Sequence, residues 1–239
     1  MIYITGDTHG SFSRVREFCV KMNTSQEDIL IILGDAGINY NGLVNDYGLK
    51  KKLSKLPITL FCIHGNHELR PQSLFTYEEK PFCGALAYIE EEFPNLVFGK
   101  DGEVYEFNGY QCLVIGGAYS VDKYYRLAMG YKWFSDEQPS DEIKAYVQKQ
   151  LAYLDYKVDV VLSHTTPYDY MPREMFLSGV DQSRVDNSTE LWLQEIENQL
   201  TYQKWYCGHF HCEKKIDKIE IKFENIDVFM FPNEKKEDF

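Results

Sequence analysis

The sequence predicts an α/β sandwich of mixed sheets, on three observations. Short β-branched and aromatic runs bounded by Gly, Asn or Pro recur along the chain, and helix-period segments lie between several of them in the first half. The second half adds consecutive strands, with no repeat or low-complexity segment to divide the two.

Residues 2–5 form the first strand candidate, closed by Gly6. Val15, Phe18, Cys19 and Met22 then recur at i, i+3, i+4 and i+7, the pattern of one helix face. Strand runs follow at 29–33, 58–63, 104–107 and 112–115. The stretches 70–94 and 118–139 read as long loops, the second holding Tyr119, Tyr124, Tyr125, Tyr131 and Trp133. Ile143, Val147, Leu151 and Leu154 continue as a helix face behind the entry Pro139-Ser140, and a strand run occupies 158–163. Asn187 followed by Glu190 resembles a capping box ahead of 191–200. Strand runs at 204–207 and 226–231 complete one domain over 1–232. Residues 233–239, five of them charged, read as a frayed tail.

Composition narrows the function classes. With 239 residues, 44% hydrophobic and 26% charged, the chain is that of an ordinary globular protein. No apolar run reaches membrane-spanning length and the start lacks a secretory pattern, so the expected compartment is the cytoplasm. A formal charge of −12 disfavours nucleic acid as a bulk partner. The six cysteines contain no C-x-x-C pair and read as reduced thiols; a zinc knot of Cys207 and Cys212 with the two histidines between them is the weaker alternative.

Chemistry-bearing residues gather where strands end. The first three strand candidates run into Gly6-Asp7-Thr8-His9-Gly10, Gly34-Asp35-Ala36-Gly37 and Gly65-Asn66-His67-Glu68. Two later ones run into Ser163-His164-Thr165 and Gly208-His209-Phe210-His211. In open α/β sheets the carboxyl ends of the strands converge on one edge, so all five turns can meet. Of the six histidines, only His64 lies outside these turns, inside an apolar run where a structural role is the better reading.

This ordered set, D-x-H, G-D, G-N-H-E, a lone His and G-H-x-H, resembles the calcineurin-like metallophosphoesterase superfamily from Asp7 to His211. The resemblance implies a four-layer αββα sandwich with a dinuclear metal site at one sheet edge. Carried over by position, Asp7, His9, Asp35 and His211 would hold one metal, and Asp35, Asn66, His164 and His209 the second. Asp35 would bridge the two, and His67 would be the non-ligand histidine at the substrate. A bridging carboxylate limits the repulsion of two divalent ions about 3.5–4 Å apart. Even with a bridging hydroxide the cluster stays near about +1, attractive to phosphate inside an acidic protein. Imidazoles mixed with carboxylate and amide oxygens suit Mn, Fe, Zn or Co better than Mg or Ca.

The chain departs from relatives that carry an Asp-Arg pair after the second motif, as G-D-x-V-D-R-G; here Gly37-Ile38-Asn39-Tyr40 follow. Phosphate-binding arginines must then come from elsewhere, with Arg126, Arg70 and Arg173 the candidates beside Asn66. The expected activity is metal-dependent hydrolysis of small phosphate monoesters, Asp35 and His67 carrying the chemistry. A phosphodiesterase or phosphoprotein phosphatase of the same superfamily is the alternative, and a non-catalytic metal-binding scaffold for partner proteins the less favoured one.

Overall fold

The computed structural model describes residues 1–176 and 178–230. One sheet is built from β1 (Ile2–Thr5), β2 (Ile29–Ile32), β3 (Thr59–Cys62), β4 (Tyr77–Phe82), β5 (Ala85–Glu90) and β6 (Leu96–Gly99). The second contains β7 (Val104–Phe107), β8 (Tyr110–Ile115), β9 (Val160–Ser163), β10 (Lys204–Cys207), β11 (Lys214–Ile216) and β12 (Ile219–Ile221). The last strand, β13 (Asp227–Val228), returns to the first sheet. The orders are β13-β1-β2-β3-β6-β5-β4 and β11-β12-β10-β9-β8-β7. In each sheet the central four strands run parallel and the outer strands antiparallel.

The apolar strand runs are long enough to cover two faces, and the pleat divides them between two cores. On β2 and β3, Ile31 and Phe61 face the other sheet, while Leu30, Ile32, Leu60 and Cys62 face outward. Across the seam, Cys112, Val114, Val160 and Leu162 meet them, and Leu113, Ile115 and Val161 turn to the far side. Helix α1 (Ser13–Met22) covers the first outer face with Val15 and Cys19, beside α2 (Leu43–Leu53). The short α3 (Lys123–Met129) buries no residue. Helices α4 (Asp141–Tyr153) and α5 (Ser188–Glu197) cover the second outer face with Val147, Leu151, Trp192, Leu193 and Ile196. Helix, sheet, sheet and helix are thus four layers around three apolar clusters. Among the described residues no helix is long and apolar enough to cross a membrane.

Several elements differ from expectation for local reasons. The stretch 70–94 holds the hairpin of β4 and β5, turned through Cys83 and Gly84, both at positive φ. Its edge strand, Tyr-Glu-Glu-Lys-Pro-Phe, is too polar to stand out from a loop. Ser140 caps α4 as its position suggests, its hydroxyl accepting from the Ile143 amide. At α5 the capping box does not form: Asn187 makes no side-chain cap, and the Glu190 carboxylate accepts from the Thr165 hydroxyl at 2.8 Å. Of the run expected at 226–231, Asp227 and Val228 pair as a strand, and its last residue, 231, lies with the tail 233–239 outside the described residues.

Phe61 is the centre of the inter-sheet packing, stacked on Phe82 and edge-on to Tyr105 and Phe107. Phe61→Ala is expected to lower unfolding free energy by ~3–5 kcal/mol in urea titration, since the surrounding rings cannot collapse into the void.

Candidate metal centre

The loops after β1, β2, β3, β9 and β10 meet at one edge shared by both sheets, and the backbone is bent to bring them there. His9, Asp35, His209 and His211 all hold positive φ, which β-carbon-bearing residues adopt only at a cost of order 1–3 kcal/mol each. Two glycines permit close approach. A β-carbon on Gly34, whose φ is +99°, would lie 2.0 Å from His164 Nδ1, and one on Gly65 would lie 2.0 Å from Asp35 Oδ1.

Lone pairs converge within this frame. The His164 ring donates from Nδ1 to the Leu33 carbonyl at 2.8 Å, which leaves Nε2 as an acceptor in the neutral ring. That nitrogen lies 2.8 Å from Asn66 Oδ1, and His209 Nδ1 lies 3.0 Å from the same oxygen. The Asn66 amide is oriented by its Nδ2, which donates to the Ser120 hydroxyl at 2.8 Å, so the oxygen faces the two rings. Asp35 stands 3.7 Å from His164 Nε2, 3.8 Å from His9 Nδ1 and 3.9 Å from His67 Nε2. On the other side, His9 Nε2 and His211 Nε2 are 2.9 Å apart, and His211 Nε2 is 3.2 Å from Asp7 Oδ2, a buried oxygen with no hydrogen-bond partner among the described residues. Asp7, His9 and His211 form one group that can hold an ion, and Asp7, Asp35 and His164 another. Acceptors facing acceptors at these distances repel unless a cation or proton lies between them, so the donor set fits divalent metal.

The electrostatics follow from burial and charge. Burial alone would raise Asp7, but the adjacent His211 and the nearby His164 and His9 hold its carboxyl far below the usual range. Burial and His164 push His209 down to about 3, keeping its ring a neutral donor of lone pairs. The adjacent Asp7 carboxylate raises His211. Burial lowers His67, with Arg126 acting in the same direction and Asp35 opposing.

Support for the loops comes from residues with weaker sequence signals. The fully buried Glu68 accepts backbone N–H groups from Ala36, Gly37 and Gly65 at 3.0–3.3 Å, tying the second loop to the third. Burial and Asp35 push its carboxyl up to about 8. The Arg14 guanidinium donates to the carbonyls of Gly6, Asp7 and Phe223, fixing the first loop. Neither Arg14 nor Ser120 belongs to a recurring pattern; only their contacts reveal them.

Arg126 alone of the arginine candidates reaches the site. Its Nη2 lies 3.3 Å from His67 Nε2, and its Nε donates to Asp122 Oδ2 at 2.7 Å. Arg70 is instead buried and structural: Nη1 donates to Asp101 at 2.5 Å and Nε to the Asp136 carbonyl. Arg173 is exposed, donating to the Tyr168 carbonyl and lying over the Tyr168 ring. His64 is buried away from the cluster, and burial holds it well below its usual range, in keeping with a neutral structural ring. All six cysteines are free thiols.

A cleft of about 330 Å³ opens beside Asp35, Asn66, His67, His209 and His211. Its farther wall comes from Tyr119, Val121 and the segment carrying Met171, Met175, Phe176, Val180 and Val185, with Glu190 at α5.

A family model, calcineurin-like phosphoesterase, matches residues 1–213. The chain belongs to this family. It is therefore a metal-dependent phosphoesterase, a hydrolase, and the site described above is where this phosphoesterase gathers its metal-type donors. Among solved structures, TT1561 of Thermus thermophilus is similar at 12% identity and a TM-score of 0.51, covering 92% of this chain and 87% of that one. The phosphopantetheinyl hydrolase from Mycobacterium tuberculosis is similar at 15% identity and 0.51, covering 93% and 87%. Both likenesses concern the fold. No curated protein gives a significant match.

Because Arg70 and Asp101 are a buried pair, Arg70→Ala is expected to cost ~3–5 kcal/mol in stability. Steady-state kinetics below the melting range should show KM for a phosphate ester unchanged; a raised KM with wild-type stability would restore Arg70 to substrate binding.

Proposed function

We propose that the phosphoesterase holds two divalent transition-metal ions and hydrolyses small phosphate monoesters. Asp7, His9, Asp35 and His211 would hold one ion; Asp35, Asn66, His164 and His209 would hold the other. The observation that carries this reading is Asn66 Oδ1 set between ring nitrogens of His164 and His209 while a second group gathers around Asp7, with Asp35 near both. When bound, the ions neutralise the phosphoryl oxygens and make water acidic enough to supply a nucleophile.

The chain's own residues divide the remaining work. Asp35, buried, fixes the His67 backbone by accepting its N–H at 2.8 Å, so the loop carrying the non-ligand histidine is set by a ligand. His67 Nε2 faces two donors, Asn66 Nδ2 at 3.2 Å and Arg126 Nη2 at 3.3 Å, which describes a neutral ring. A dianionic phosphoryl group entering beside it would raise its proton affinity, so that the ring takes up a proton from solvent at Nε2 and then gives it to the leaving oxygen. Arg126 adds the fixed cation that a dianion needs more than a diester does, which favours the monoester reading.

Elemental analysis after saturation with Mn²⁺ or Zn²⁺ is expected to give two ions per chain, and Asp35→Asn to weaken both sites and abolish turnover. One ion with full activity would overturn the dinuclear assignment. His67→Ala should keep both ions and lose ~10²–10⁴-fold in kcat on alkyl phosphates, with a smaller loss on p-nitrophenyl phosphate, whose leaving group scarcely needs a proton. Equal losses would leave His67 only an electrostatic role. Arg126→Ala is expected to raise KM for monoesters several-fold more than for diesters in a panel that includes phosphopeptides and single-stranded DNA.

A further inference from the structure

The cleft beside the metal-type cluster is not a phosphate-binding cleft over most of its wall. Away from the cluster it presents the rings of Tyr119, Phe176 and Phe210 and the thioethers of Met171 and Met175, and no Lys or Arg is among its lining residues. Two carboxylates face it instead. Glu190 is 3% exposed; one carboxylate oxygen accepts from Thr165, and Oε2 has no hydrogen-bond partner among the described residues. Asp122 uses Oδ2 for Arg126, and its Oδ1 is likewise buried without a partner among the described residues.

A buried carboxylate oxygen without a donor is costly, and Glu190 sits on a helix whose capping pattern offered it another role. Turned toward Thr165 at the cleft, it leaves an acceptor where the far end of a bound ester would lie. Burial, with the nearby Asp186 acting in the same direction, pushes its carboxyl up to about 7, and no Lys or Arg among the lining residues supplies a dedicated cation. Aromatic faces and thioethers around unpaired carboxylate oxygens make a setting that attracts an ammonium group; a neutral hydroxyl satisfies one oxygen and leaves the charge unbalanced.

We propose that this cleft seats the organic half of the ester and selects an alcohol carrying an ammonium group on a short apolar chain, Glu190 receiving that cation. The inference rests on the phosphoesterase reading for the position of the phosphoryl group, and it goes beyond it by naming the leaving-group class. Phosphate at the cluster and ammonium at Glu190 place opposite charges at opposite ends of one substrate. The basic walls that a strand of nucleic acid would need are absent from the lining residues.

The test uses the metal-loaded protein with a series of ω-aminoalkyl phosphates and n-alkyl phosphates of matched length. Wild type is expected to favour the amino member at one chain length by about tenfold or more in kcat/KM. Calorimetric titration with the corresponding non-hydrolysable phosphonates should show the same preference in Kd. Glu190→Gln keeps the shape and removes the charge, and should bring the amino-to-alkyl ratio close to one in both readouts. Met175→Lys, at a half-exposed wall position, should lower the ratio independently and serves if Glu190→Gln does not fold. Turnover of both series with no amino preference, or a Glu190→Gln ratio equal to wild type, overturns this inference and leaves the phosphoesterase reading standing. If no ester in either series turns over and no phosphonate binds, the reading beneath it fails as well.

Discussion

Mutual repulsion among lone pairs is the constraint around which the molecule is arranged. Carboxylates, imidazoles and one amide oxygen are held with their electron-rich atoms toward common points, an arrangement a protein does not adopt for its own stability. It persists because rigid elements enforce it. Parallel strands deliver the loops to one edge, left-handed backbone at four of the loop residues aims the side chains inward, and the Glu68 and Arg14 hydrogen bonds prevent the loops from relaxing apart. The three apolar layers behind them supply the stability against which this local cost is set.

Much of this was legible in the sequence because the chemistry is carried by rare residue types in fixed order. Histidine is scarce here, and its placement after strand-like runs identified the cluster before any contact was known. The fold class followed from the same strand-like runs and the helical patterns between them. Features that depend on a partner far along the chain were not legible. The β4–β5 hairpin hides behind a polar edge, and α3 lies in a Tyr-rich stretch without a buried face. Arg70 and Arg126 look alike as isolated cations, and only tertiary contacts separate the one buried against Asp101 from the one reaching His67.

The two sides of the cleft obey different rules. Around the cluster, second contacts fix two of the donors: Leu33 sets the tautomer of His164, and Ser120 orients the Asn66 amide. The opposite wall is drawn from short 3-10 turns and α5, with shape and polarity set by side chains that answer to no common motif. The metal-type donors thus sit on loops tied to the sheets, and the facing wall is built from a separate stretch of chain.

His9 and His211 come within 2.9 Å across a separation of 202 residues, and the two parallel sheet centres on either side of them are each assembled from distant segments. During synthesis the first half of the chain presents Asp7, His9, Asp35 and Asn66 long before His164, His209 and His211 leave the ribosome. Until then neither the group of Asp7, His9 and His211 nor that of Asp7, Asp35 and His164 is complete, and a partial one offers a passing cation little. Ion acquisition is therefore a late event in the life of each molecule. The ion that enters is chosen by a nearly finished fold, which gives shape and donor spacing a say in a choice that raw affinity would otherwise dominate.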